Sequence, residues 1–365
     1  MEKLSTLILS NLHDLTHAQS LELLQHYGTA EAALSDEAPE SARWAEIKND
    51  HAALREAREL ALREMDYCEQ HDVRIIPYSS DEYPRRLRES EVQDAPLRLF
   101  YKGTGPLNRR HTLSVVGTRH ITEYGKQICE RLFEQLSKEL PDLFVISGLA
   151  YGVDIHAHRA ALHEGLDTVG VVAHGMNMIY PRMHEHTALE MMRHGGLLTE
   201  YSSMVEPDRF KFVRRNRIVA GISSATLVVE SAASGGALIT AEYANNFNRN
   251  VLAIPGRITD TYSAGCNKLI RLHKAEPVSS AADIMNILHW TSDYQPTSTE
   301  PQLFTVYTPE QQKIVDALQT NDELSVDQIS QRTALAVSRV NDLLFDLEDM
   351  KEVKRMPGNR YRLHG

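Results

Sequence analysis

The sequence has 365 residues, 42% of them hydrophobic and 24% charged, with three cysteines and a formal net charge of −11. That composition fits a globular chain of two or three domains, and Cys68, Cys129 and Cys266 lie too far apart for a disulfide framework or a zinc knuckle. No apolar run nears the ~18 residues that span a bilayer, and the first residues lack the basic, then apolar, profile of a signal peptide, so the expectation is a cytoplasmic protein with no membrane segment.

In chain order, residues 1–70 read as a small helical module. Leu4, Leu7, Leu12, Leu21 and Leu24 lead into one long stretch, Glu40 to Cys68, where Trp44, Ile47, Leu54, Ala57, Ala61 and Met65 recur on one helical face. Short β-branched runs begin at Val73 and Leu97. From 113 to 256, apolar runs of strand length (113–116, 144–146, 168–172, 225–229 and 251–254) alternate with helical segments. Continuous apolar strands separated by helices predict a parallel sheet covered on both faces. The fold class expected is therefore α/β, with an extended Rossmann-like doubly wound sheet over residues 71–290. A Pro/Ser/Thr-rich stretch, 291–301, reads as a linker. Residues 302–365 predict helices near 309–318, 326–331 and 336–350, then a hairpin turning at Pro357-Gly358-Asn359, which is the pattern of a winged helix.

Charge is uneven along this plan. Residues 1–100 carry 11 basic and 20 acidic side chains, residues 101–290 carry 20 and 18, and residues 291–365 carry 8 and 12. Only the middle has a basic excess, and Arg209, Lys211, Arg214, Arg215 and Arg217 fall within nine residues of it. A polyanion site is expected there.

Ligands of open parallel sheets gather beyond the carboxyl ends of the strands, where helix N-termini attract anions. Three such ends carry glycine or hydroxyl residues: Gly117-Thr118-Arg119, Ser147-Gly148, and Ser234-Gly235-Gly236 before a helix. None forms the dinucleotide fingerprint or a P-loop, so dehydrogenase and ATPase readings lose support, and the glycines could also serve only tight turns. The segment Phe210-Lys211-Phe212-Val213-Arg214-Arg215-Asn216-Arg217 interleaves aromatics with cations, a mixture suited to single-stranded nucleic acid: guanidiniums pair with phosphates and aromatic rings stack on bases. The histidines of Asp154-Ile-His156-Ala-His158 and His184-Glu-His186 are spaced i, i+2, which splits them between helix faces and disfavours a metal site; Asp154 and His156 read instead as loop-orienting groups. No nucleophile elbow is present. In the winged helix, acidic Asp342, Asp346, Glu348 and Asp349 on the third helix favour a protein contact over duplex reading.

Taken together, these stretches resemble the DNA processing protein A family (DprA, also called Smf). The matching residues are Gly117-Thr-Arg119 with Tyr124-Gly125, Ser147 to His158, Tyr180-Pro-Arg182, Gly196 to Glu200, Arg214 to Gly221, Val228-Val-Glu230 with Ser234 to Ala241, Ile254-Pro-Gly256, and Gly265-Cys-Asn267-Lys268. The resemblance implies a Rossmann domain that binds single-stranded DNA without a cofactor, forms a homodimer and helps load the recombinase RecA in transformation or recombination. It places Arg119, Arg215, Asn216 and Arg217 in the binding pocket, with Arg182 and Lys268 as backbone contacts, and on it alanine at Arg119 or Arg217 should weaken binding. The sequence departs from the family at Val213, often proline there, and at Leu12 to His17, which lacks the glycine of a DNA-contacting hairpin. An enzymatic alternative is a phosphoribohydrolase of the LOG group, with Glu230 and Glu242 as carboxylates near Ser234-Gly-Gly. A third is a nucleotide-sensing transcription factor reading duplex DNA through residues 302–365.

Overall fold

The computed structural model describes residues 1–35, 41–89, 94–290, 307–319, 323–349, 353–356 and 360–363. In it the apolar runs become strands of one nine-stranded sheet. The strands are β1 (Arg74–Pro77), β2 (Arg98–Gly103), β3 (Thr112–Val116), β4 (Phe144–Ser147), β5 (Asp167–Val171), β6 (Gly195–Thr199), β7 (Ala225–Val228), β8 (Asn250–Ala253) and β9 (Glu276–Pro277). Their order is β1-β2-β6-β5-β4-β3-β7-β8-β9. From β6 through β9 all neighbours are parallel, while β2 joins β6, and β1 joins β2, in antiparallel pairs. The chain thus steps outward from β3 to β6, then returns to lay β7 on the other side of β3. That reversal is the topological switch point of a doubly wound sheet.

Five helices precede the sheet: α1 (Glu2–Asn11), α2 (His17–Tyr27), α3 (Ala30–Leu34), α4 (Ala42–Asn49) and α5 (His51–Gln70). The single stretch expected from Glu40 to Cys68 is two helices. Asp50 separates them because its carboxylate accepts the backbone N–H groups of Ala52 (3.1 Å) and Ala53 (3.0 Å) and so starts a new helix there. The module shares its core with the sheet: Leu7, Leu9, Leu21, Leu24, Trp44, Ala57 and Ala61 pack with Ile75 and Phe100 of the outer strands and with Leu97 just before β2. Residues 1–293 form one compact unit, so the change at residue 70 is one of secondary structure and not of core.

The sheet helices are α6 (Arg85–Arg88), α7 (Glu123–Glu139), α8 (Val153–His163), α9 (Glu185–Met191), α10 (Arg209–Gly221), α11 (Gly236–Asn246), α12 (Ala264–Arg271) and α13 (Ala281–Ile287). Strand alternation sorts them onto two faces. Leu113 and Val115 pack with Leu132, Leu136, Ala157 and Ile284 of α7, α8 and α13, whereas Val116 packs with Ile218, Val219, Ala241 and Leu269 of α10, α11 and α12. Strand β6 was not expected as an element because two glycines open it and leave a two-residue apolar signal, Leu197-Leu198; buried on both faces, it pairs with β5 and β2 all the same.

Residues 294–365 form a second unit. Its helices α14 (Pro309–Gln319), α15 (Val326–Thr333) and α16 (Val337–Asp349) enclose Ile314, Leu318, Ile329, Val340 and Leu344. Strands β10 (Leu324–Ser325), β11 (Val353–Met356) and β12 (Arg360–Leu363) make its wing, with β12 in the centre. The expected hairpin therefore gains a third strand, too short at two residues to show a period. The expected linker at 291–301 and the turn at 357–359 lie outside the described residues. Among the described residues no helix is long and apolar enough to cross a membrane.

Candidate functional site

A cleft of 1040 Å³ opens beyond the carboxyl ends of β3, β4 and β7, at the switch point. Its floor is backbone. Gly117 has no room for a Cβ, which would collide with the Val153 side chain and approach the Glu230 carbonyl to 2.9 Å, and at Gly148 a Cβ would strike the Arg215 guanidinium. Glycine at both positions lets the strand ends and α10 close in. Ser234, Gly235 and Gly236 line the opposite wall at the N-terminus of α11, whose leading N–H groups have no side-chain cap. Such a terminus suits an anion.

The walls combine aromatics and cations. Asp208 caps α10 by accepting from Phe210 N (2.8 Å) and Lys211 N (2.9 Å), which sets the helix phase and turns Phe212, Arg215, Asn216 and Val219 toward the cleft. The Arg119 guanidinium lies 5.4 Å from the centre of the Phe212 ring, and the Tyr180 ring lies 5.8 Å from it on a tilt of 48°. Arg119 and Lys268 are exposed, line the cleft, and form no ion pair among the described residues. With Arg209, which is exposed at the cleft and likewise has no ion pair among the described residues, they are cations free to meet a phosphate.

Eleven of the seventeen residues singled out in the sequence border this cleft: Gly117, Thr118, Arg119, Gly148, Phe212, Arg215, Asn216, Ser234, Gly235, Gly236 and Lys268. The other six do not. Ser147 donates to the Val115 carbonyl (2.6 Å), and Asn267 grips the Gly256 backbone at both N–H and C=O (3.2 and 2.9 Å). Lys211 is held by Asp208 (2.6 Å) and the Glu206 carbonyl (3.0 Å), and Arg182 stands exposed on a short 3₁₀ turn. Arg214 and Arg217 face away from the cleft. Arg217 is 0% exposed, with Nη2 on the Glu200 carboxylate (2.6 Å) and Nε 3.1 Å from Asp94. Three- and four-residue spacing puts 212, 215, 216 and 219 on one face of α10 and 214 and 217 on another. The basic run therefore divides between cleft and core, which charge alone could not reveal. His120, Tyr180 and Arg209 also line the cleft; Tyr180 and Arg209 stood within the motif and the cation cluster, whereas His120 had no signal beyond adjacency to Arg119.

Arg215 borders the cleft but is committed inward. It is buried, donates to the Gly148 carbonyl (2.7 Å) and to the Val171 carbonyl, and so ties α10 to the ends of β4 and β5. Burial brings its guanidinium down to about 10, with Asp154 opposing that shift, and it stays protonated at neutral pH. Asp154 accepts the N–H groups of Gly148 (3.1 Å) and Ala150 (3.4 Å), the loop-orienting role expected of it; burial raises its carboxyl against the pull of Arg215. Among the described residues the His156 side chain makes no such hydrogen bond to the loop. Among the described residues no cluster of three or more His, Cys, Asp or Glu could hold a metal. Glu230, one of the two carboxylates of the enzymatic reading, does not line the cleft: it is 3% exposed and engaged by Thr122, whereas Glu242 does line it.

Five buried or half-buried histidines are expected to make the fold acid-sensitive. His158 is buried, with Nδ1 2.7 Å from Thr168 Oγ1, and burial, with the nearby His184 and Arg215 charges, lowers it from 6.5 to about 3. His17, His156, His174 and His184 are lowered too, each chiefly by burial. With folded values below the unfolded one, the unfolded chain takes up protons first as pH falls, so this stability is present above about 6.5 and drains below it, at up to ~1.4 kcal/mol per pH unit per fully buried histidine. Asp154 acts with the opposite sign but is one group against five. The urea midpoint of the protein is expected to drop steadily from pH 7 to pH 4.5; a flat or rising midpoint would mean that the buried imidazoles are charged in the fold.

Comparison with known proteins follows the same lines. The family model for DNA recombination-mediator protein A matches residues 74–289, and that for the DprA winged helix domain matches residues 295–359. Protein Smf of Escherichia coli is 33% identical over 307 residues, covering 81% of this chain and 79% of its own, and DNA processing protein DprA of Bacillus subtilis is 37% identical over 217 residues, covering 59% and 71%. Among solved structures, DNA processing protein A from Streptococcus pneumoniae superposes with a TM-score of 0.64 at 31% identity, over 76% of this chain and 95% of that one. DNA processing protein A from Helicobacter pylori, whose structure concerns its single-stranded DNA binding mode, gives 0.52 at 25% identity over 60% and 96%.

Proposed function

The chain belongs to the DNA recombination-mediator protein A family, and from that membership we propose that its switch-point cleft binds single-stranded DNA without breaking or making bonds. The observation that carries the reading is the juxtaposition of an unpaired Arg119 with Phe212 and Tyr180 above a backbone-lined floor. Cation and rings together suit an unstacked strand, whose phosphates run along Arg119, Lys268 and the N-terminus of α11 while a base meets the Phe212 or Tyr180 ring. A duplex keeps its base faces stacked inside, so it could use the cations alone.

In the cell this binding would protect exposed or incoming single strands in the cytoplasm and help load RecA, with the protein acting as a homodimer. The winged helix supports a protein contact in that scheme: on α16 the cation Arg339 is occupied by Glu310 (3.0 and 2.7 Å), while Asp342, Asp346, Glu348 and the ring of Phe345 face solvent. An acidic face repels phosphates.

Fluorescence anisotropy of labelled oligo-dT and of a matched duplex, with the intact protein at two salt concentrations, tests the reading. If about six phosphates are contacted, log K should fall against log salt with a slope near −4, so that going from about 50 to 200 mM weakens strand binding a few hundredfold. Equal affinity for duplex and strand, or no strand binding at low salt, would overturn it.

A further inference from the structure

Arg119 reaches the cleft from an exposed loop, residues 117–122, between β3 and α7, with Gly117 and Thr118 before it and His120 to Thr122 after it. A loop of that kind has many conformations, and each must be given up before the arginine can meet a phosphate. One residue from a different strand holds this loop at both ends. The backbone carbonyl of Glu230, just past β7, accepts Thr118 N–H at 2.7 Å. The carboxylate of the same residue accepts Thr122 N–H at 2.9 Å through Oε2 and the Thr122 hydroxyl through Oε1. Thr122 in turn caps α7 by accepting Gly125 N–H at 3.2 Å, and a Cβ at Gly125 would stand 2.5 Å from the Glu230 carboxylate, so the helix start is seated directly on that group. Glu230 is nearly fully buried and does not itself line the cleft.

We propose that Glu230 is a positioning residue for DNA binding: it clamps both ends of the 117–122 loop and thereby presets Arg119 over Phe212. The proposal rests on the single-strand reading of the cleft. It gives this buried carboxylate a binding role in place of the catalytic one that its position near Ser234-Gly-Gly suggested. Side-chain variants leave the backbone bond to Thr118 in place and free the Thr122 end; if that lowers the preset population to about one tenth, apparent affinity falls about tenfold with no contact to DNA removed.

The test uses the full chain and labelled oligo-dT, with E230A, T122V, R119A and the doubles E230A/R119A and T122V/R119A. T122V removes the hydroxyl bond from the other side at nearly constant shape, together with the α7 cap to Gly125 N–H, and serves if E230A does not fold. The expected result is an affinity about tenfold lower for the single clamp variants and no further loss when either is added to R119A, because a loop without its arginine has nothing to present. A second readout is limited trypsin digestion of the free protein: cutting after Arg119 should rise selectively in the clamp variants, and E230Q, which keeps an oxygen acceptor, should restore much of the protection. A general loss of structure would instead open many sites and add to the R119A defect; that pattern, or clamp variants binding like the parent while R119A is weak, overturns the clamp. Parent protein that does not bind oligo-dT would instead reject the single-strand reading itself.

Discussion

Replacing Arg217 by alanine is expected to destabilise the unit of residues 1–293 by up to about 3–5 kcal/mol, the cost of leaving the enclosed Glu200 carboxylate without its main cation. The side chain is wholly enclosed and bridges Glu200, itself 9% exposed, to Asp94. Its value lies in what its loss would strand: the buried pair contributes little over an apolar substitute of equal volume, but without Arg217 the Glu200 carboxylate keeps only the more distant Arg214, at 3.8 Å. Urea unfolding at neutral pH measures the effect as a lower midpoint at unchanged slope. Below the transition the variant should bind oligo-dT much as the parent does, since the guanidinium lies on the face of α10 opposite the cleft. The arginine-rich motif suggested Arg217 as a DNA contact, and this binding measurement decides between that role and the structural one. A stable R217A protein that had lost strand binding would restore it to that role.

The complementary result is expected at Phe212. Its ring is half-buried on the cleft wall, with Arg119 on one side and Tyr180 beside it. Truncation to alanine removes a stacking surface worth about 1–3 kcal/mol per base and releases Arg119 from the ring, so oligo-dT affinity should fall by about five- to a hundredfold. Stability should change far less than in R217A. The salt slope should stay near the parent value because no phosphate contact is deleted, which separates a stacking loss from an electrostatic one. Replacement by leucine, which keeps the volume but not the ring, should recover stability without recovering affinity; affinity equal to the parent in both variants would remove the stacking role.

Much of the sheet was legible because its strands are buried on both faces and so read as unbroken apolar runs. The exceptions have local causes. β6 opens on Gly195-Gly196, and β9 and β10 are two residues each, all below what periodicity can register. The Glu40–Cys68 stretch kept one apolar phase across a break that only the capping geometry of Asp50 decides. At the site, glycines and hydroxyls at strand ends pointed to the cleft because the rule they follow is topological. Which cations face it was not legible: Arg214, Arg215, Asn216 and Arg217 are consecutive, and three-dimensional partners from 94, 148, 171 and 200 decide which of them stay free. Ser147 and Asn267 show the same limit, since a motif residue that holds the loop and one that holds the ligand look alike in sequence.

The two outermost strands of the large sheet, β1 and β9, each end in a proline, Pro77 and Pro277. Proline offers no N–H to a newcomer, and β9 is only two residues long with a carboxylate, Glu276, as the other. Another polypeptide therefore finds little ladder to extend at either border. A second copy of the chain that packs on this sheet's unit would join it through side chains on a helical or loop surface, so such pairing should be sensitive to single surface substitutions, and strand-to-strand polymerisation through the large sheet is disfavoured at both of its borders.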